Sequence, residues 1–131
     1  MTALALFLAA VAGLLHVLFF TLESLRWREP KTWKTFGLTS QEDAETTASL
    51  AYNQGFYNLF LAIGTFVGIG VVLSSECHDV IGWTLIVFAC GSMLAASLVL
   101  ISTGRSYARA AAIQGVPALL AVVTSLLAAT A

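Results

Sequence analysis

Two ionisable side chains, His16 and Glu23, lie within the first long apolar stretch of the sequence. They are seven residues apart, almost two helical turns, so a helix would place both on one face. Carboxyl and imidazole groups are common general acids and bases in enzymes. Ionisable groups inside a membrane are costly and usually face the protein interior. If the protein is an enzyme, which the sequence leaves open, Glu23 or His16 is the expected acid/base residue.

The second apolar stretch carries a polar stripe. Asn53, Gln54, Tyr57 and Asn58 follow the i, i+1, i+4, i+5 spacing of one helical face. Their amides and hydroxyl group supply both hydrogen-bond donors and acceptors. We expect such a stripe to face protein rather than lipid.

The fourth apolar stretch adds Gln114, three residues before Pro117. A proline within a helix frees a backbone carbonyl one turn earlier, and a freed carbonyl inside protein can bind a ligand. With a rise of about 1.5 Å per residue, Glu23, Asn53 and Gln114 each lie within about 10 Å of the same membrane surface, and His16 lies near mid-membrane. We therefore predict that three helices converge on one polar pocket.

Each of these groups also has a simpler interpretation. Glu23 could pair with Arg26, three residues later. His16 could be a packing residue that bonds to a neighbouring helix. The stripe on the second helix could hold helices together without a ligand, since hydrogen bonds between membrane helices contribute about 0.6 kcal/mol on average.

The elements that must position these groups are four apolar stretches of about 20 residues or more, the length needed to cross a bilayer. Backbone amides in hydrocarbon must be paired within the segment, so each stretch is predicted to be helical. The sequence therefore predicts an all-α fold, a four-transmembrane-helix bundle that forms a single domain over residues 1–131. The first stretch lacks a basic start and continues past a signal-like site, so we interpret it as a retained helix. The predicted helices cover about 3–25, 47–73, 80–101 and 108–128. The sequence Thr39–Glu42 fits a capping box, which predicts that the second helix begins near Ser40, before the membrane.

The basic residues predict the orientation. All six fall after the first stretch or around the start of the fourth: Arg26, Arg28, Lys31, Lys34, Arg105 and Arg109. Loops that carry Lys and Arg face the cytoplasm, so these basic loops are predicted to be cytoplasmic and both termini outside. We expect a multi-pass protein of the bacterial inner (plasma) membrane.

The composition excludes several classes of function. Only 10% of the 131 residues are charged and 59% are hydrophobic, too few charges to cover a soluble domain. The formal net charge of −1 gives no indication of nucleic-acid binding. No cofactor is expected. The segment Glu76–Asp79 has metal-ligand residue types but not zinc spacing, so we predict a solvated loop and no metal site.

The polar residues carry a resemblance to a known family. The chain resembles a family of small bacterial four-span membrane proteins that is catalogued as a domain of unknown function. The resemblance implies the four-span fold and no accepted activity. It covers almost the whole chain and depends on His16, Glu23, Phe36–Leu38, Asn53–Asn58 and Gln114–Ala118.

Three functions remain as hypotheses. The first is a binding protein or enzyme for a small amphipathic or lipid-like molecule. The second is a small proton-coupled transporter, which would need a homo-oligomer. The third is a structural membrane module without a ligand. The expected partners are the lipid bilayer, a small amphipathic ligand and a second copy of the chain. The ligand-binding residues of the first hypothesis are His16, Glu23, Asn53, Gln54, Tyr57, Asn58 and Gln114.

Overall fold

The computed structural model of the chain describes residues 1–74 and 79–130. Every regular element in this part of the chain is helical. The predicted loop Glu76–Asp79 lies outside the described residues, apart from the backbone of Asp79. The helices are α1 (Thr2–Phe20), α2 (Pro30–Thr35), α3 (Gln41–Ser74), α4 (Asp79–Thr103) and α5 (Ala108–Ala129).

Four of the helical segments are long and apolar enough to cross a membrane, as the sequence predicted. A single π-helical turn, Thr21–Leu25, prolongs α1, and a short 3₁₀ turn precedes α5. The chain is a multi-pass membrane protein by the length and composition of these segments. The candidate spans are Thr2–Leu25, Gln41–Ser74, Val80–Thr103 and Arg105–Ala129.

Helix α3 begins at Gln41, six residues before the apolar span, which confirms the predicted start near Ser40. The Ser40 hydroxyl oxygen accepts a 3.0 Å hydrogen bond from the backbone N–H of Asp43. Serine at this position satisfies one of the donors that a helix leaves free at its N-terminus. The first turns of α3 therefore form from polar residues, and the apolar span follows within the same 34-residue helix.

A fifth helix, α2, fills part of the segment between the first two spans, which the sequence did not predict. Pro30 occupies its first turn, where the missing N–H has no intrahelical partner in any case. Helix α1 and its π turn have already ended at Leu25, so Pro30 begins a helix and does not terminate one. After α2, Gly37 has a φ of +84°, a backbone conformation that favours glycine.

The chain forms two compact units. The first comprises Met1–Leu15 and Leu61–Ala131. Small alanines of α1 and α5 pack there with larger residues of α4, so backbones can approach closely without a large side chain between them. The fully buried large side chains are Ile86 and Met93 of α4. The cluster consists of Ala5, Ala9, Ala12, Trp83, Ile86, Cys90, Met93, Ala118 and Ala121.

Helices α3 and α4 touch at two glycines within this first unit. A Cβ atom on Gly68 would lie 2.8 Å from the Gly82 carbonyl oxygen, and one on Gly82 would lie 2.9 Å from the Gly68 oxygen. Real Cβ atoms do not approach that closely. Gly64 and Gly68 form a GxxxG sequence in α3. A Cβ atom on Gly64 would make only an ordinary contact with Ala89. The GxxxG sequence thus packs against α4 within the chain.

The second unit is His16–Phe60, which holds the end of α1, the π turn, α2 and the first half of α3. Polar contacts join the start of α3 to the segment that follows the π turn. The Trp27 indole N–H donates to the Ala44 carbonyl oxygen at 2.9 Å, and Arg28 Nε donates to Glu45 Oε2 at 2.8 Å. The Trp33 indole donates to Gln41 Oε1 at 3.0 Å. These bonds hold the connecting segment against α3.

Candidate functional site

The candidate site is built on the π turn at the end of the first span. The backbone N–H of Arg26 donates to the Thr21 carbonyl oxygen at 3.0 Å, an i to i+5 bond. The Thr21 hydroxyl donates to the Val17 carbonyl at 2.9 Å. Single π turns occur frequently at functional sites. Here the turn contains Glu23, the carboxyl group that the sequence singled out within the first span.

Glu23 is buried, with 4% of its surface exposed, and α3 supplies its hydrogen-bond partners. The Gln54 amide donates to Oε1 at 2.9 Å, and the Asn58 amide donates to Oε2 at 2.7 Å. The two donors are four residues apart, so one helical face presents both. A buried carboxyl group needs such donors, because an unpaired one is strongly disfavoured. Of the four stripe residues, Gln54 and Asn58 are thus the ones that bond to Glu23.

Glu23 does not form the ion pair with Arg26 that the simpler interpretation predicts. The Arg26 guanidinium instead binds Glu29 through Nε at 2.9 Å and a terminal nitrogen at 2.8 Å. The residues of this pair are half exposed. The Arg26 charge is therefore committed to a carboxylate outside the span, while Glu23 binds neutral amides.

A close backbone approach brings the π turn and α3 together. A Cβ atom on Gly55 would lie 3.0 Å from the backbone nitrogen of Ser24 and would overlap the Ser24 hydroxyl. The Ser24 hydroxyl donates to the Tyr52 carbonyl oxygen at 2.8 Å. Glycine allows this approach because it has no side chain. The neighbouring Glu23 is thereby brought within hydrogen-bond distance of Gln54.

Two clefts reach Glu23. The first has a volume of about 190 Å³, and the aromatic rings of Trp27 and Phe36 form part of its wall. Their ring centroids are 5.2 Å apart. Its other lining residues are Leu38, Thr47, Leu50, Ala51 and Gln54. The walls are thus mainly apolar, and the polar groups among the lining side chains include the Glu23 carboxyl, the Gln54 amide and the Thr47 hydroxyl.

The second cleft has a volume of about 350 Å³ and shares Glu23 and Trp27 with the first. Ser24 and Ser49 make it more polar, and Arg28 also lines it. Arg28 is itself engaged with Glu45. Small-molecule sites are typically concave and mostly apolar with a few placed polar groups, which describes the first cleft better than the second.

The remaining predicted site residues take different positions. His16 is fully buried, and its ring meets Phe19 edge to face at a centroid distance of 5.3 Å. Asn53 and Tyr57 lie on α3 with exposed side chains. Gln114 belongs to the other compact unit, where its amide donates to the Met93 carbonyl at 3.4 Å. A role for these four residues in a ligand site stays a prediction.

The structure adds residues that the sequence reasoning had not included in the site. From sequence alone, a tryptophan at the end of a span such as Trp27 indicates an interfacial position, and Phe36 contributes only to the family resemblance. Both line the first cleft. Gly55 was a further available signal, because a glycine within a polar helical stripe indicates a close approach of another backbone.

Comparison of the chain with curated proteins finds no match, and comparison with solved structures finds none either. The family model described as "Protein of unknown function (DUF1304)" matches residues 10–126. The match includes every residue that lines the two clefts and most of the two terminal spans. The chain therefore belongs to the DUF1304 family of proteins of unknown function.

Proposed function

We propose that this membrane protein binds a small amphipathic or lipid-like molecule, with the polar end of the molecule at Glu23. The observation that carries the proposal is a buried carboxyl group, held by two amides of α3, that lines a cleft with mainly apolar walls. The apolar part of the ligand would contact Trp27, Phe36 and Leu50, and its polar part would bind the carboxyl group.

The volume of the first cleft suits a small ligand or one end of a larger one. The cleft volume of about 190 Å³ is several times the volume that one water molecule occupies in the liquid, about 30 Å³. It is below the usual range of about 300–1,000 Å³ for drug-sized ligands. We infer that a polar group with a short apolar chain fills the cleft, and that a longer chain would extend from it toward lipid.

The orientation belongs to the same proposal. The basic residues after the first span and before the fourth favour a cytoplasmic location for both loops, with the termini outside. Glu23 would then lie at the cytoplasmic end of its span, and the clefts would be reached from that side. We further propose a bacterial inner (plasma) membrane location and one four-helix domain over residues 1–131.

Proton-coupled transport remains the second candidate, because the first span contains one carboxyl group and two clefts reach it. This mechanism would require transport of a substrate coupled to protonation of Glu23. A structural module without a ligand has less support, since a purely structural Glu23 would not need a cleft beside it. Binding is the function that the geometry supports best.

Binding can be tested with Trp27 as the reporter. The chain has three tryptophans. Trp33→Phe together with Trp83→Phe leaves Trp27, which lines the first cleft, as the single tryptophan of the protein. We expect 8-bromooctanol, a neutral amphiphile whose bromine quenches tryptophan fluorescence, to quench Trp27 saturably in lipid nanodiscs. Quenching that rises linearly with the bilayer concentration of the probe, without saturation, would contradict the proposal.

Two neighbouring threonines provide a matched control. Thr47 lines the first cleft, and Thr46 is exposed and does not line it. We expect Thr47→Phe to fill part of the cleft and weaken 8-bromooctanol binding by about tenfold, a difference of 1.4 kcal/mol. Thr46→Phe adds the same bulk one residue away and is expected to leave binding within about twofold. Equal effects of both substitutions would argue against the first cleft as the site.

A further inference from the structure

The hydrogen-bond partners of Glu23 bear on which class of ligand it can bind. In the described part of the chain, the ion pairs are Arg26–Glu29 and Arg28–Glu45, and Glu23 belongs to neither. Its two hydrogen-bond partners are neutral amides. A buried ionised carboxylate without a cation has an uncompensated desolvation penalty. A cationic ligand would therefore compensate the charge of an ionised Glu23, which the side chains of the site do not.

The carboxyl group also has unused acceptor capacity. An ionised carboxylate has about four lone-pair directions on its two oxygens. Gln54 uses one on Oε1, and Asn58 uses one on Oε2. A primary ammonium group has three N–H donors and could use the remaining directions on the side of the cleft. A carboxylate ligand would instead place like charges together.

The aromatic walls favour the same chemistry. The rings of Trp27 and Phe36 line the first cleft together with Glu23. A cation within about 6 Å of an aromatic ring face is attracted by about 0.5–2 kcal/mol, and tryptophan is the most favourable ring. No Lys or Arg is among the residues that line this cleft in the described structure. Arg28 lines the second cleft, where Glu45 compensates its charge.

We propose that the first cleft selects an amphiphile with a primary ammonium head, whose charge binds Glu23 and whose apolar chain lies against Trp27, Phe36 and Leu50. This inference rests on the proposed binding function and narrows it to one charge class. A single-chain amine and an aminophospholipid share this chemistry. They differ in that the phospholipid also carries a phosphate group.

Competition against bound 8-bromooctanol tests the selection. Octylamine, octanol and octanoate have one chain length and differ in head group. We expect octylamine to displace the probe at a concentration about tenfold lower than octanol, and octanoate to be the weakest competitor. If 8-bromooctanol binds saturably but octylamine competes no better than octanol, the ammonium inference fails and the binding function stands. If 8-bromooctanol does not bind saturably, the binding function itself fails.

Charge-neutral substitutions assign the effect to Glu23. We expect Glu23→Gln to reduce the preference for octylamine over octanol to about twofold or less while octanol still binds. Glu42→Gln removes a negative charge from an exposed carboxylate of α3 that lines neither cleft, and is expected to leave the tenfold preference unchanged. A preference that survives Glu23→Gln, or that Glu42→Gln abolishes, would overturn the assignment.

A second variant keeps the test decisive if Glu23→Gln does not fold. Phe36→Leu removes one ring from the cleft wall and retains an apolar side chain, so octanol binding should persist. We expect the octylamine preference to fall about threefold, the effect of losing one cation–aromatic contact. An unchanged preference would contradict the aromatic part of the proposal. Lysophosphatidylethanolamine, compared with octylamine in the same assay, separates the two sources of the ammonium group.

Discussion

The Asn58 side-chain amide donates a 2.7 Å hydrogen bond to Oε2 of Glu23, a residue 35 positions earlier in the sequence. This bond joins the end of the first span to the second span. Gln54 adds a parallel bond to the other oxygen, one helical turn away. The carboxyl group is thereby fixed in position before any ligand is present. Such preorganisation lowers the ordering cost of binding.

Substitution of Asn58 should show the strength of this connection. Asn58→Leu introduces an apolar side chain of similar size and removes the donor to a buried carboxyl group. We expect a loss of about 1–3 kcal/mol in the free energy of unfolding, the penalty for leaving such a group unsatisfied. Thermal unfolding in detergent measures it. Asn53→Leu on the exposed side of the same helix should change stability by less than about 0.5 kcal/mol, and a comparable loss there would dispute the role of Asn58.

The contact between Gly55 and Ser24 should not tolerate a side chain. Gly55→Ala would place a methyl group 3.0 Å from the Ser24 backbone nitrogen, so the π turn and α3 must move apart. We expect about 1–3 kcal/mol of destabilisation, as for other overpacked contacts, together with weaker 8-bromooctanol binding. Gly70→Ala, at a position with no atom within 4 Å, provides the control and should leave both unchanged. A stable, fully binding Gly55→Ala protein would refute the close approach.

The two glycines of the GxxxG sequence should differ in the same way. Gly68→Ala would push against the Gly82 carbonyl oxygen and against Cγ1 and the backbone nitrogen of Ile86, so we expect a clear fall in the temperature of unfolding. Gly64→Ala makes only an ordinary contact with Ala89 and should be tolerated. Chemical crosslinking in nanodiscs provides a second measurement. Loss of a dimer with either substitution, at unchanged stability, would assign the sequence to an interface between copies instead.

Glu29 should titrate below its ordinary range because Arg26 binds it. The hydrogen bond from the Arg26 guanidinium lowers the pKa of the Glu29 carboxyl from its usual 4.5. A lowered acid pKa stabilises the folded state above the unfolded pKa, and this contribution is lost as pH falls below 4.5 through the folded pKa. Carbon-13 NMR of the Glu29 carboxyl group measures the titration. In the Arg26→Gln protein the midpoint should rise toward 4.5, and an unchanged midpoint would exclude the ion pair in solution.

The spans could be predicted from the sequence because lipid imposes a simple requirement on length and hydrophobicity. Predicted and observed limits agree within about two or three residues, except at the start of α3. There the Ser40 cap extends the helix beyond its apolar part. Hydropathy marks where a helix enters lipid, and capping decides where the helix begins, so the two limits need not coincide. Helix α2 was missed because its six residues are too few for a periodic pattern.

The partners of Glu23 could be predicted in part. The i, i+4 spacing of Gln54 and Asn58 and the inward tendency of a membrane carboxyl group indicated that they would meet. The π turn could not be predicted, because Thr21–Leu25 has no residue that distinguishes it from an ordinary helix. The aromatic wall depends on how the segment after the π turn folds back. Distant contacts such as Trp27 with Ala44 determine that path, and local sequence does not encode them.

A crystal structure of the protein with 8-bromooctanol tests the central claim most directly. The anomalous signal of bromine distinguishes the probe from lipid and water. We expect a bromine peak beside Trp27 and Phe36, with the hydroxyl group of the probe within hydrogen-bond distance of Glu23. Bromine peaks confined to the outer surface of the spans, with the cleft beside Glu23 free of the probe, would contradict the account.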